Sequence, residues 1–378
     1  MHSFFDSAVR IVTDFWKSVF PTSDCQPTTA AEQTLSTIPK PSIGEFKPPE
    51  PTCVSPNDFK RLKVLGKGTY GKVYQVRREL DGKVFAMKVV TKPTDGSKSR
   101  MIRGEREILE KMDSPFLCKM SYFYESAKKR YFVLEFLAGG DLFTILSRNS
   151  VLDENATRFY IAEVTLALEH LYNHDVIYRD LKLENVMLDA KGHVKLTDFG
   201  FAKFLEKGKR TSTFCGTADY LSPEMVRKAP YDHSVDRWAM GILMYELLVG
   251  HTPFLADTDK QRKKNILSGE FSTPSNVSES SLKLIKSLLS VSPKKRPSFP
   301  EIKESDFFHT IDWEKMAARG YEPPLTLSLK DETDISQFDR YYTRMYVEES
   351  PFKCIDSKAK SRIATFDSAS KTARKLFI

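Results

Sequence analysis

The sequence contains no pair of cysteines placed to act together. Its five, Cys25, Cys53, Cys118, Cys215 and Cys354, are scattered along 378 residues with no CxxC pair. Neither a disulfide framework nor a thiolate zinc site follows, and a reducing compartment, cytoplasm or nucleus, is expected. Long apolar runs are missing too: "WAMGILMYELLVG" at 238–250 is 13 residues and contains Glu246, so it reads as a buried helix rather than a membrane span. The first twenty residues carry Asp6 and Asp14 without a basic leader and make a poor signal peptide. No block of five or more like charges occurs, which argues against a dedicated nucleic-acid tract, although the net charge is +8 and residues 58–308 hold 42 basic against 33 acidic residues.

What is present is the composition of a soluble globular protein, 40% hydrophobic and 29% charged, with room for two or three compact units. Residues 21–57 hold eight of the twenty prolines and read as a flexible linker. From Phe59 the chain alternates apolar and polar residues between glycines, the pattern of twisted strands joined by hairpins, with Asp81-Gly82 as one turn. "MIRGEREILEKM" (101–112) has helical spacing and "RYFVLEFL" (130–137) reads as a strand; from there to residue 308 helical patterns dominate. A strand-rich part followed by a helix-rich part implies an α+β fold of two lobes with a cleft between them, a small lobe at 58–137 and a large lobe at 138–308. Residues 309–378 form a tail with no core of its own.

The chemistry lies in charged residues at fixed spacings. Gly66, Gly68 and Gly71 make G-x-G-x-x-G between two strands rather than before a helix, which suits a flap whose backbone N–H groups approach phosphates. Lys88 in "FAMKVV" shares its strand face with Ala86 and Val90, so the charge needs a partner, which Glu105 on the following helix can supply. In "YRDLKLENVML" (178–188), Asp180 can accept the hydrogen bond of a substrate hydroxyl, Lys182 can neutralise charge on a transferred phosphoryl group, and Asn185 can hold a metal ion. Asp198 in "TDFG" supplies a second metal ligand. Phosphoryl transfer needs mainly positioning and charge neutralisation, and two oxygen ligands for Mg²⁺ with two lysines are the expected equipment.

These residues, in this order and with "SPE" at 222–224, resemble the eukaryotic protein kinases over residues 59–308. The resemblance implies a two-lobed kinase fold with ATP in the cleft. Leu65, Val73, Ala86 and Met187 would contact the nucleotide, Glu135 to Leu137 would form the hinge, and Leu134 would be the gatekeeper. Lys182, with Thr217 bonding to it and to Asp180, implies serine/threonine specificity. "YRD", "DFGFAK", "TFCGTADYLSPE" and the tail sequence 311–351 look like the AGC group, most like the ribosomal S-six kinase, protein kinase B and serum-regulated kinase branch.

Within that resemblance Thr213 stands at the activation-loop phosphorylation position, where a phosphate could pair with Arg179 and Lys203. Asp141, Glu184 and Glu246 stand where basophilic relatives bind substrate arginines, and Arg296 stands as the buried partner of Glu224. Ser350 matches a phosphorylated turn site of an AGC-type tail, and Ile363, Phe366 and Asp367 match a hydrophobic motif with a fixed negative charge. The implied partners are basic protein substrates and an upstream activating kinase, for a monomeric enzyme. Arg237, Ser222 and Asp141 depart from the group's usual Trp, Ala and Glu.

A second reading assigns the chain to scaffolding, a kinase fold of weak activity that docks partners through residues 1–20. There Phe4, Phe5, Val9, Val12, Phe15, Trp16 and Val19 recur at helical spacing with balanced charge, which favours a protein groove over an anionic bilayer.

Overall fold

Among the described residues, five strands and one α-helix build the first lobe: β1 (Phe59–Gly68), β2 (Gly71–Arg78), β3 (Val84–Thr91), α1 (Gly96–Lys111), β4 (Met120–Glu125) and β5 (Lys129–Glu135). The computed structural model describes residues 54–68, 71–92, 96–275 and 277–347. The amphipathic segment 1–20, most of the proline-rich linker, Ser350 and the motif at Ile363, Phe366 and Asp367 lie outside the described residues. The strands form one antiparallel sheet in the order β1-β2-β3-β5-β4. Gly82, at φ 74°, makes the turn between β2 and β3, and the Arg78 and Lys83 backbones close it with a 2.9 Å bond.

The register fixes which face does chemistry. Val73 lies opposite Lys88, Gly66 opposite Val73, and Leu134 opposite Ala86. Directly opposed residues share a face and residues two apart on a strand do also, so Val73, Ala86, Lys88 and Leu134 line one side of the sheet. The other side carries Val64, Tyr74, Val76, Phe85, Met87 and Val133, a buried cluster against which Tyr342, Met345 and Val347 of the tail pack.

The second part is helical: α2 (Leu142–Asn149), α3 (Glu154–Asn173), the strands β6 (Val176–Ile177), β7 (Val186–Leu188), β8 (Val194–Leu196) and β9 (Lys203–Phe204), then α4 (Pro223–Val226), α5 (Ser234–Val249), α6 (Asp259–Ser268), α7 (Glu279–Leu288), α8 (Phe299–Lys303), α9 (Trp313–Ala317) and α10 (Arg340–Thr343). The apolar run expected to be a buried helix is α5, with Trp238, Ile242, Leu243 and Tyr245 fully enclosed. A helix apolar on all sides belongs at the centre of a core, and each such side chain contributes about 1.5–3 kcal/mol by leaving water. Gly250, at φ 87°, ends α5 by donating its N–H to Glu246 O at 2.8 Å. Asp153 caps α3 through a 2.8 Å bond from the Ala156 N–H. Among the described residues no helix is long and apolar enough to cross a membrane.

The tail has no core of its own within residues 309–347; it is strapped along the other two parts. Met316 of α9 enters the main core, Arg148 of α2 holds the Gln337 side chain at 2.6 Å, and the Gln75 side chain donates to Thr333 O at 2.8 Å. Phe338 stacks on Phe136 just beyond β5, with ring centres 5.7 Å apart and planes 13° apart.

Candidate active site

The catalytic loop is anchored before it is equipped. The Asp236 carboxylate, in the first turn of α5, accepts the backbone N–H groups of Tyr178 at 2.9 Å and Arg179 at 2.8 Å. Arg179 takes φ 69°, a left-handed conformation costly to a non-glycine residue, and these bonds help to hold it there. Burial pushes the Asp236 carboxyl up to about 6 against the two N–H donors and Arg179, which favour the charged form.

Asp180 stands next on this fixed backbone. One carboxylate oxygen accepts from Thr217 Oγ1 at 3.0 Å; the other accepts from Lys182 Nζ at 3.0 Å and Asn185 Nδ2 at 2.8 Å. Lys182 also reaches Thr217 Oγ1, at 3.0 Å. Burial raises the Asp180 carboxyl, opposed by Lys182. Burial tends to discharge Lys182, but the Asp180 and Glu184 carboxylates outweigh it and hold the ammonium charged.

Across the cleft, Lys88 of β3 bonds Glu105 Oε1 at 2.6 Å and Asp198 Oδ1 at 2.8 Å. Glu105 projects from α1 and is buried, and burial raises its carboxyl against the pull of Lys88. Asp198 sits at φ 52°, its side chain about half exposed. Desolvation opposes its charge, yet Lys88 beside it and the Gly200 N–H hold the carboxyl below its ordinary range. The lobes therefore meet through a carboxylate–ammonium–carboxylate chain that ends on the half-exposed Asp198.

The other residues singled out from the sequence fall around this centre. Gly66 and Gly68 have clear space where a side chain would stand, whereas a Cβ on Gly71 would lie 1.8 Å from Val89 O. Gly71 thus serves the close approach of β2 to β3, and only the first two glycines leave the flap open. Leu65 and Leu137 are buried, and Met187 in β7 is half-buried and bridges to Asp141. The Glu135 carboxylate is taken by Lys195 Nζ and the Lys119 N–H, each at 2.8 Å, which turns its side chain to a structural use. The strand expected to run to residue 137 ends at Glu135, with Phe136 already turned under Phe338.

The three carboxylates expected to bind substrate arginine differ in their freedom. Asp141 caps α2: one oxygen accepts the Thr144 N–H at 2.7 Å and the other the Thr144 hydroxyl at 3.0 Å. Both of its oxygens are thereby engaged inside the fold. Glu246 accepts the Tyr220 hydroxyl, and its carboxyl is pushed up to about 7 by burial, with Glu184 and Asp219 adding to the rise. Glu184 is exposed at the mouth of the site. Thr213 is exposed as well; its carbonyl accepts the Tyr231 hydroxyl, which in turn accepts Arg179 NH1 at 3.1 Å. Arg179, expected to look for an anion, is met here by neutral groups, Tyr231 and Phe201 O at 2.7 Å. Lys203 Nζ lies 3.3 Å from Thr211 Oγ1. Arg296 is buried and grips Glu224 with both NH1 and NH2, at 2.6 and 2.8 Å.

Asp236, Tyr231, Tyr220 and Phe338 were not anticipated. Asp236 offered one signal, an acidic residue in the first turn of an otherwise apolar helix, and Phe338 another, a lone phenylalanine in a polar stretch.

A sheet-bearing lobe, a helical lobe and a lysine–carboxylate chain across the cleft define a phosphotransferase architecture. Residues 59–308 match the protein kinase domain. Over 310 residues the chain is 42% identical to ribosomal protein S6 kinase beta of Caenorhabditis elegans, covering 79% of this chain and 56% of that protein. It is 39% identical over 328 residues to serine/threonine-protein kinase sck2 of Schizosaccharomyces pombe, covering 84% and 51%, and 38% identical over 328 residues to serine/threonine-protein kinase akt-2 of C. elegans, covering 85% and 61%. The chain thus spans 51–61% of the length of these three relatives. It belongs to the protein kinase family. Within that family its relatives place it in the AGC serine/threonine branch, beside the S6 and Akt kinases.

Proposed function

We propose that the chain transfers the γ-phosphoryl group of ATP, with Mg²⁺, to serine or threonine in protein substrates that carry arginine shortly before the target. One observation carries this reading: Asp180, Lys182, Asn185 and Thr217 converge within 3.0 Å in one cluster. Asp180 orients the substrate hydroxyl and receives its proton. Lys182 lies where negative charge gathers on the phosphoryl group as it moves, and Lys88, held charged against burial by Asp198 and Glu105, meets the phosphates nearer the adenine.

The donor set suits Mg²⁺. Asn185 commits its Nδ2 to Asp180, so its Oδ1 is the atom left for a cation, and the half-exposed Asp198 carboxylate is a second hard oxygen. Such an ion, bound with the nucleotide, supplies neutralisation of phosphate charge. Val73, Ala86 and Leu134, on the face shared with Lys88, offer an apolar seat for the base.

Glu184 and Glu246 supply the negative charge for a substrate arginine, while Asp141 gives its carboxylate to the helix cap. Regulation through Thr213 is supported by the short relay from Arg179 through Tyr231 to the Thr213 carbonyl: a phosphate there offers Arg179 and Lys203 an anion in place of neutral partners. An upstream kinase and an activated state held by that clamp belong to the same proposal. The test is to incubate purified protein with ATP, Mg²⁺ and a degenerate peptide library. Phosphorylation of serine or threonine with arginine selected two to five residues upstream is expected; selection for proline after the target, or no transfer at all, overturns it.

A further inference from the structure

Two polar atoms on one flank of α5 are buried without partners. Arg237, which stands where related kinases carry Trp, is half-buried, and its Nε has no hydrogen-bond partner among the described residues. His233, the residue before α5, is 6% exposed, and its Nε2 is likewise buried and unpartnered. Orphaned polar atoms of this kind are uncommon inside a fold and point to a group that belongs beside them.

Both residues stand around one aromatic wall. Tyr172, near the end of α3, meets the His233 ring edge-on with ring centres 5.2 Å apart, and the Phe299 ring lies 5.6 Å from Tyr172. The Arg237 guanidinium carbon is 5.9 Å from the centre of Phe299, and Lys207 Nζ is 4.8 Å from the centre of Tyr172. The surrounding carboxylates are engaged elsewhere. Asp232 accepts the Ser234 N–H at 2.9 Å, and Asp236 takes the Tyr178 and Arg179 N–H groups. Glu301 accepts the Ser298 N–H and hydroxyl at 2.7 Å each, and Asp175 accepts the Lys207 N–H at 3.1 Å. Among the described residues Arg237 forms no ion pair. A guanidinium drawn partly out of water without an anion is costly to the fold.

We propose that Arg237 and His233 form a binding site for a phosphate group. A guanidinium presents its N–H groups in a planar fork that matches two phosphate oxygens. The oxygens of a tetrahedral anion diverge, so a third can meet the imidazole of His233 while Arg237 holds the first two. A planar carboxylate would be satisfied by the guanidinium alone and would leave Nε2 orphaned. Lys207, over the Tyr172 ring, adds a further positive charge at the rim. The aromatic wall keeps water from the inner side, which strengthens the attraction between the charges.

The imidazole responds to the anion. Burial holds His233 below its ordinary range, Arg237 and Lys207 add to the effect, and the Asp232 and Asp175 carboxylates oppose it. A phosphate placed among these groups offsets both cations, so His233 takes up a proton as the anion arrives and then donates through Nε2.

The experiment titrates full chain carrying isotope-labelled histidine with sodium phosphate, with sodium chloride at matched ionic strength as the control. A saturating non-hydrolysable ATP analogue occupies the nucleotide site throughout. His233→Gln identifies the His233 ring resonance. The expected result is a saturable movement of that resonance toward protonated imidazole with phosphate and none with chloride. Arg237→Trp, which keeps bulk against Phe299, and Arg237→Gln should each weaken binding at least tenfold, with Arg237→Lys recovering part. A phosphoserine peptide and its unphosphorylated form are titrated in parallel. Tighter binding of the phosphopeptide than of free phosphate assigns the ligand to a phosphorylated chain segment, and the reverse assigns it to the small anion. A His233 resonance that neither phosphate source moves, or that chloride moves as far, overturns the proposal. So does unchanged affinity in either Arg237 variant whose melting transition shows it folded.

Discussion

Lys88 Nζ lies 2.8 Å from Asp198 Oδ1, so one ion pair joins the sheet of the small lobe to the loop that follows β8. The pair is not symmetric in its use. Glu105 holds the lysine from the other side at 2.6 Å, and an arriving phosphate can therefore replace Asp198 as the partner of Lys88 without leaving the ammonium unpaired. Asp198 is then free for a cation.

Two carboxylates of the site should consequently fail in different ways. On the proposed assignment Asp198→Ala removes a metal ligand, and it should weaken nucleotide binding in the presence of Mg²⁺ at least tenfold, with turnover lost alongside. Asp180→Asn keeps shape and nucleotide affinity but replaces the proton acceptor, and a loss of about 10²–10⁴ in kcat is expected for a missing general base. Titrating a fluorescent ATP analogue and measuring peptide phosphorylation on both variants separates the two. Equal nucleotide affinity in both would contradict the assignment of Asp198.

Arg296 and Glu224 are a second pair, buried and bidentate, with Arg296 also donating to Ser234 O at 3.0 Å. Arg296→Ala leaves a carboxylate in the core without its cation, which costs about 3–5 kcal/mol. For a domain of this size that corresponds to a fall in Tm on the order of 10 °C. Calorimetry on the variant checks it, and the Arg296→Ala, Glu224→Ala double variant should fall less than the sum of the singles because the second removal deletes the orphaned charge.

The convergence of Asp180, Lys182, Asn185 and Thr217 was readable from the sequence because the first three stand close together and the order of all four is fixed by the chain. A glycine-rich turn between strands, Lys88, Asp180, Asn185 and Asp198 each had one chemical reading once the others were present. The strand face was readable from period two, which sets Ala86 and Lys88 on the same side of β3. Contacts that join distant segments were not readable. Asp236 acts on backbone groups 57 and 58 residues away, and Tyr231 meets Thr213 only because Thr211 pairs with it. The tail was read as coreless; within residues 309–347 it packs on the rest of the fold, and its docking of Phe338 against Phe136 depends on surfaces that exist only after both lobes have formed.

Asp141 shows a local rule competing with a functional one. Its acidic type fitted a substrate contact, but Thr144 three residues on completes an N-cap, and the cap has the carboxylate. Asp141→Ala should cost about 1 kcal/mol through the lost cap. Asp141→Asn, which can still accept the Thr144 N–H, should leave stability within about 0.5 kcal/mol of wild type. Arginine selection in the peptide library should survive in the Asn variant. Its collapse there, with Tm unchanged, would return Asp141 to the substrate-binding set.

If Glu246 holds substrate arginine as proposed, substrate choice should depend on pH. Burial raises its carboxyl to about 7, and Glu184 and Asp219 nearby push the same way, while the Tyr220 hydroxyl favours the charged form. Below pH 7 Glu246 is protonated and neutral; above it the carboxylate is present. A guanidinium is held better by the charge, by about 1 kcal/mol, the usual gap between charged and neutral hydrogen bonds. The quantity to follow is the ratio of kcat/KM for two peptides that differ only in arginine or alanine before the target, because the titration of Asp180 and Asp236 affects both peptides and cancels. That ratio should rise about three- to fourfold from pH 6 to pH 8. Glu246→Gln should flatten it at the low-pH value, since the amide can neither ionise nor offer a charge. A wild-type ratio that stays level across this range would show that substrate arginine is read elsewhere, with exposed Glu184 the next residue to replace.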